Sequence, residues 1–184
     1  MSDARGFWVR WRVSAGYPVA GASVYFARPS WDSLAVAALV GMAGLIVRGL
    51  AAGVVRKREE LATSGVYAWT RNPLYFGSTI LAAAFAVGAR SWIAAALIAG
   101  YLALFYPTVI RREEQYLHER FGARFEEYVA RVPAFVLWPR KPMEKGSEFS
   151  WAQYWRNHEY RAAFGVLLAF GLLLGRMWLR SRWG

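Results

Sequence analysis

Two stretches of this chain gather side chains of reactive type. The first runs Leu61-Ala-Thr-Ser-Gly-Val-Tyr-Ala-Trp-Thr-Arg-Asn-Pro-Leu-Tyr-Phe-Gly77. Thr63-Ser64-Gly65 is a turn signal. Asn72-Pro73 reads as a helix start, with Asn72 at the N-cap and Pro73 at the first helical position. A helix start presents unpaired N–H groups and the positive end of the helix dipole, which suits a carboxylate or phosphate. Tyr67, Trp69 and Tyr75 can stack on a flat ring or face a cation. The plainer reading is a capped membrane helix with aromatic side chains at headgroup depth.

The second stretch is Arg111-Arg112-Glu113-Glu114. Adjacent carboxylates beside two guanidiniums at an apolar boundary can bind a polar headgroup or act as a base. The plainer reading is a solvated helix with arginines as membrane anchors. Other chemistries find little support. With no cysteine, thiolate nucleophiles, disulfides and Cys-ligated zinc are excluded. His118 and His158 are far apart, which argues against a metal site.

The elements that must position these residues are apolar helices. The 184 residues suffice for one compact domain, and 57% are hydrophobic against 19% charged, richer in apolar residues than a typical soluble domain. A bilayer core needs about 20 apolar residues of helix. Five runs approach this: Val13 to Ala27, short and containing Pro18; Ser33 to Val55, with Arg48; Pro73 to Ala89; Trp92 to Ile110; and Ala162 to Leu179, with Arg176. Ala20-Gly21-Ala22 mimics a signal-peptide cleavage site but lies inside the first run, so a retained helix is expected.

Net charge is +11. The charges sit between apolar runs, and no basic recognition helix stands clear of them, so membrane orientation is expected and nucleic acid is not. Arg5, Arg10 and Arg12 precede the first run, Arg56, Lys57, Arg58 and Arg71 follow the second, and ten Lys or Arg lie from Arg111 to Arg161. Arg28 and Arg90 alone would lie in loops on the other side. The N-terminus and both chemical stretches should therefore face the cytoplasm, with a bacterial inner membrane as the expected location. Five crossings would leave Arg176, Arg180 and Arg182 on the far side, against the rule, unless the last helix stops short.

Arg90-Ser91 is so short a link that the third and fourth helices must form an antiparallel pair. Gly49 with Gly53, and Gly171 with Gly175, have the spacing that lets helices approach closely. From Arg111 to Val132, Leu117, Phe121, Phe125, Tyr128 and Val132 recur at helical steps among charges. That predicts an amphipathic surface helix, or two broken near Gly122.

Taken together, the motifs resemble the isoprenylcysteine carboxyl methyltransferase and phospholipid methyltransferase superfamily. That family carries Gly-x-Tyr, then Arg-His/Asn-Pro-x-Tyr-x-Gly, and one hairpin later Glu-Glu, Leu, Phe-Gly, Tyr and Arg-Val-Pro. This chain has Gly65-Val66-Tyr67, Arg71-Asn72-Pro73-Leu74-Tyr75-Phe76-Gly77, Glu113-Glu114, Leu117, Phe121-Gly122, Tyr128 and Arg131-Val132-Pro133. The likeness covers about residues 60–135, leaving Trp151 to Arg161 and an extra C-terminal helix, about residues 160–179, outside it; the first of these is a candidate substrate-side addition.

The resemblance implies an all-α polytopic membrane protein, with about five transmembrane helices and a cytoplasmic amphipathic helix, in a single domain, residues 1–184. It implies transfer of a methyl group from S-adenosylmethionine, leaving S-adenosylhomocysteine, to a lipophilic acceptor that enters from the bilayer. Cofactor contacts would fall on Gly65, Tyr67, Arg71, Asn72, Pro73, Tyr75 and Glu113, and the substrate end on Arg111 and Glu114, with the two glutamates interchangeable. Prenylcysteine enzymes typically have His where this chain has Asn72, which favours a small lipophilic acid or amine over a prenylated protein. A non-catalytic membrane scaffold or small transporter subunit is the rival reading. The acceptor and the oligomeric state stay open.

Overall fold

The structure, a computed structural model, describes residues 3–56, 59–139, 142 and 148–183, without the side chains of 3–10, 12, 13 and 183. The expected orienting charges Lys57 and Arg58, and the side chains of Arg5, Arg10 and Arg12, lie outside the described residues.

Among the described residues all regular structure is helical. The order is α1 (Asp3–Tyr25), α2 (Trp31–Val54), a 3₁₀ turn (Gly65–Ala68), α3 (Pro73–Ala89), α4 (Trp92–Phe121), α5 (Ala123–Arg131), α6 (Trp151–Arg156) and α7 (Tyr160–Trp183). Three helices are long and apolar enough to cross a bilayer: α2, α4 and α7 over Tyr160–Arg182. The 17-residue α3 is apolar but shorter, rising about 26 Å. The first expected run lies largely within α1, which carries Pro18 inside it. The fold class is therefore as the sequence predicts, an all-α chain built on apolar helices of membrane length.

One boundary differs. Instead of ending near Ile110 and giving way to a separate surface helix, α4 continues unbroken to Phe121. The segment Arg111–Arg120 is made of good helix formers, so nothing interrupts the ladder where hydropathy changes. The break comes at Gly122, whose φ of 50° lies in the left-handed region, and α5 follows.

By their contacts the residues form two compact units: Met1–Gly41, Leu81–Val109 and Val166–Gly184 in the first; Met42–Ile80 and Ile110–Gly165 in the second. The first unit packs Ala27, Leu34, Ala89, Ala94 and Leu173 at its centre, with Phe85, Phe170 and Met177 against them. The link between α3 and α4 is the expected Arg90-Ser91. Arg90 takes φ 47°, and the backbone of Ala95 bonds Ser91 O at 2.9 Å. This turn is pinned to the α1–α2 connection: Arg28 N donates to Ala89 O at 2.7 Å and Ser33 Oγ to Gly88 O at 3.1 Å.

The paired glycines behave differently from one another. Gly171 and Gly175 have nothing within 4 Å of where a Cβ would sit, so the close helix approach expected of them is not made among the described residues. In the second unit, Gly49 and Gly53 face the rings of Tyr154 and Phe149 rather than a facing helix backbone.

The charge asymmetry gives a topology that can be measured. Ser64 is buried, so an exposed position is needed to report the side. A cysteine at the exposed Glu148 should react with an impermeant thiol reagent only from the cytoplasmic face, and one at Ser181 only from the other. Labelling of Glu148→Cys from the far side would reverse the assignment.

Candidate functional site

The motif residues assemble in the second unit. The 3₁₀ turn begins at Gly65, whose φ of 57° would strain any residue with a Cβ; an added Cβ would also lie 3.3 Å from Val54 Cγ2. The turn packs Val66 and Tyr67 on Ala51 and Val54 near the end of α2. A second cluster, Leu61, Phe125, Tyr128 and Val132, seats α5 against the same connection.

Hydrogen bonds then join stretches about sixty residues apart. Tyr128 Oη donates to Tyr67 O at 2.7 Å, and Arg71 N to Pro133 O at 2.9 Å. Thr70 Oγ1 and Asn72 Nδ2 donate to Ala134 O at 3.2 and 3.0 Å, and Trp138 N to Trp69 O at 3.2 Å. This is why Gly65-x-Tyr67 and Arg71-Asn72-Pro73 occur together with Tyr128 and Arg131-Val132-Pro133: each half supplies donors or acceptors that the other lacks.

Arg71 is the centre of this seam. Its Nε and Nη2 both reach Glu114 Oε1 at 3.0 Å, while Nη1 donates to Val129 O at 3.2 Å and Val132 O at 2.8 Å. The two carbonyls belong to the end of α5, where backbone acceptors lack helical partners and a cation is favoured. Asn72 Nδ2 adds a longer contact to Glu114 Oε1 at 3.4 Å. Three donors thus converge on Oε1, and Oε2 of Glu114 has no described partner. Asn72 also opens α3 as expected, since its carbonyl accepts from Phe76 N at 2.9 Å.

A cavity of about 200 Å³ opens onto this seam. Tyr67, Arg71, Asn72, Glu113, Glu114 and Tyr128 line it, with Val55, Leu61, Ala62, Leu117 and Phe125 as apolar wall and Arg56, Glu60 and Tyr116 completing it. Burial, reinforced by the nearby Glu113 charge, holds the Tyr67 hydroxyl well above the ordinary tyrosine range. Burial also raises Tyr128, with Arg71 acting against it and Glu114 with it. Both are neutral hydroxyls at physiological pH.

Of the residues expected from sequence, the cavity gathers Tyr67, Arg71, Asn72, Glu113 and Glu114. Gly65, Pro73 and Tyr75 lie outside its lining, and so does Arg111, which is exposed on α4. Sequence reasoning did not single out Tyr128 or Phe125 as site residues; their signal was the apolar stripe of α5, which also reads as packing.

A further polar network went unread. Arg48 in α2 forms a fork with Glu159 at 2.6 and 3.0 Å, donates to Leu74 O at 3.2 Å and bonds Ser78 Oγ. An added Cβ at Gly77, the last glycine of the motif, would meet Arg48 Cγ and lie 3.0 Å from Gly44 O, so α2 and α3 touch there. Asn157 Nδ2 caps the end of α2 at Ala52 O and Val55 O, 2.7 and 2.9 Å away. Arg156 pairs with Glu59 at 2.7 Å. The side chains of the Trp151 to Arg161 stretch are thus engaged with α2 and the connection that follows it. Among the described residues no group of three or more His, Cys, Asp or Glu gathers as a metal site.

Apolar helices of membrane length, with a cavity built from the connection that follows α2, the extension of α4 and α5, define an integral membrane protein. Residues 36–124 match the family model described as phospholipid methyltransferase. The cobalt-zinc-cadmium resistance protein CzcN of Cupriavidus metallidurans is 32% identical over 167 residues, covering 85% of this chain and 74% of that protein. The nickel-cobalt-cadmium resistance protein NccN of Alcaligenes xylosoxydans xylosoxydans is 39% identical over 80 residues, 44% of this chain and 37% of that protein. A protein-S-isoprenylcysteine O-methyltransferase of Schizosaccharomyces pombe is 33% identical over 86 residues, 45% of this chain and 36% of the enzyme. No solved structure matches the chain. The chain belongs to the phospholipid methyltransferase and isoprenylcysteine carboxyl methyltransferase superfamily.

Tyr128→Phe should lower stability by about 1 kcal/mol, the usual net value of one hydrogen bond. The pH dependence has a definite sign. The folded state holds the Tyr67 and Tyr128 protons more tightly than the unfolded chain, whose tyrosines titrate near 10. This stabilisation is complete below about pH 10 and declines above it. Melting in detergent from pH 8 to 11 should show the decline, shallower in Tyr128→Phe.

Proposed function

We propose that this chain transfers a methyl group from S-adenosylmethionine to a lipophilic acceptor in the membrane, either a carboxylate or an amine. The observation that carries this reading is the cavity itself: five of the residues that the family motif assigns, drawn from stretches more than forty residues apart, line one space with an aromatic and apolar wall.

The residues present fit the cofactor. It carries a sulfonium, an ammonium, a carboxylate and a flat adenine. Glu113 and the open Oε2 of Glu114 suit the cationic groups, Arg56 suits the carboxylate, and Tyr116, Leu117 and Phe125 offer flat or apolar surface. When bound, the cofactor supplies an electrophilic methyl group. The protein's part is to align the two reactants and exclude water, which a single displacement requires more than a protein nucleophile. Arg71 is a positioning residue here, because four of its donor contacts go to Glu114 and the end of α5. Arg111 suits a carboxylate acceptor through its forked donors, and Glu114 Oε2 suits the proton of an amine. The Lys and Arg asymmetry supports a cytoplasmic cofactor side, and a bacterial inner membrane is the location that goes with this reading.

The second reading is a non-catalytic membrane scaffold or transporter subunit. It is favoured by the internal pairing of Arg71 and by relatives named for resistance to cobalt, zinc, cadmium and nickel rather than for a reaction. On the catalytic reading, any share this chain has in metal tolerance runs through a methylated membrane compound.

Calorimetry in detergent decides between them. The folded protein should bind S-adenosylmethionine, and Asn72→Ala should weaken binding at least about tenfold, near 1.4 kcal/mol. Glu113→Gln should weaken S-adenosylmethionine more than S-adenosylhomocysteine, since only the former carries the sulfonium charge. No binding to folded protein would leave the scaffold reading. Turnover then separates the acceptors: loss in Arg111→Ala marks a carboxylate, loss in Glu114→Gln an amine.

A further inference from the structure

At one end of the first unit, the α1–α2 connection, the α3–α4 turn and the last turns of α7 enclose a cavity of about 510 Å³. Four arginines line it: Arg28, Arg90, Arg176 and Arg180. No Asp or Glu is among its lining residues, and none of the four is ion-paired among the described residues. We propose that this cavity binds the phosphate of an anionic lipid headgroup.

Charge makes the first argument. Guanidinium groups stay protonated, so the cavity carries four positive charges whatever the pH. Helix ends alter this little. The C-termini of α1, α3 and α7 contribute about −0.5 each and the N-termini of α2 and α4 about +0.5 each, a net of about −0.5. Four like charges around one space repel, and a bound anion offsets that repulsion.

Geometry makes the second. The site is held in place by bonds that leave donors over. Arg176 Nε and Nη2 donate to Tyr25 O at 3.2 and 2.9 Å while its guanidinium lies 5.8 Å from the Tyr25 ring centre, and the rest of its five N–H groups remain. Arg28 is fixed through its backbone bond to Ala89, and Arg90 by its left-handed backbone. Planar forks from several directions match the oxygens of a phosphate.

Surroundings select the lipid as the source of that phosphate. Tyr25, Phe26, Trp92 and Ile93 share the lining, and Trp92 is 92% exposed. Tryptophan and tyrosine at the ends of apolar helices mark headgroup depth, where lipid phosphates lie and acyl chains meet apolar side chains. The same site accounts for the departure from charge asymmetry. Arg176 and Arg180 gather with Arg28 and Arg90, at the end that the other loops assign to the non-cytoplasmic face, where headgroup binding compensates their unfavourable side.

The test uses the full chain, purified in detergent and exchanged into nanodiscs of phosphatidylglycerol and phosphatidylcholine, with retained lipid counted by native mass spectrometry. The wild type should retain phosphatidylglycerol in preference to phosphatidylcholine. Arg28→Gln with Arg180→Gln should lower that preference about fivefold per arginine, the change expected of one charge at an anionic headgroup. Arg180→Gln alone, in the last turn of α7, gives the same reading should the double variant fail to fold. Millimolar inorganic phosphate should not displace the lipid. Equal preference in wild type and variants overturns the proposal, as does displacement by inorganic phosphate, which would mark a free-anion site.

Discussion

The ion pair of Arg71 with Glu114 is the contact on which the site depends. One guanidinium joins three things that sequence separates: the start of α3, the charged extension of α4 and the end of α5. It does so with both partners largely withdrawn from water, 12% and 25% exposed. A charge in that setting is costly to leave alone, so removing either partner disturbs more than one bond. Lysine would supply the charge but not the planar fork, and could not reach a carboxylate and two carbonyls together. The polar wall of the cavity is therefore a consequence of this pair rather than a set of independent side chains.

The same logic recurs in the second unit at Arg48. An arginine within an apolar helix needs its donors satisfied locally, and Glu159, Leu74 O and Ser78 do so. The glycine at 77 allows the close approach that brings those partners near. Charges in this unit that face apolar surroundings are thus paired, whereas the four arginines of the first unit's cavity are not. That contrast, more than the number of arginines, separates structural cations from ones left to meet a ligand.

Membership of the methyltransferase superfamily rests on motifs that the structure explains physically. Most of the signature maintains the seam: Gly65 for its positive φ, Pro133 for its carbonyl, Tyr128 for its hydroxyl, Gly77 for helix contact. Fewer residues, chiefly Glu113, Asn72 and Glu114 through Oε2, remain directed at the cavity. Glu114 belongs to both sets, holding the seam through Oε1 while its Oε2 has no described partner.

The sequence by itself determined the helical class, the helix start at Asn72-Pro73 and the two stretches that meet at the site, and offered a break near Gly122 as one of two readings. These follow from local chemistry: apolar length, capping, the left-handed freedom of glycine, and motif order. It also made Arg48 and the Arg176–Arg182 tail conspicuous without supplying their partners. Tertiary structure decided that Arg71 takes Glu114 rather than a ligand, that Arg111 lies outside the cavity, that Gly171 and Gly175 face open space, and that Arg176 and Arg180 gather with Arg28 and Arg90. The run of α4 past Ile110 has a local cause instead, since helix propensity outlasts hydropathy there. Partners 43 or 111 residues apart leave no period or spacing in the chain. Only folding, by bringing those backbones within hydrogen-bond reach, chooses among the carboxylates and carbonyls that each arginine can meet.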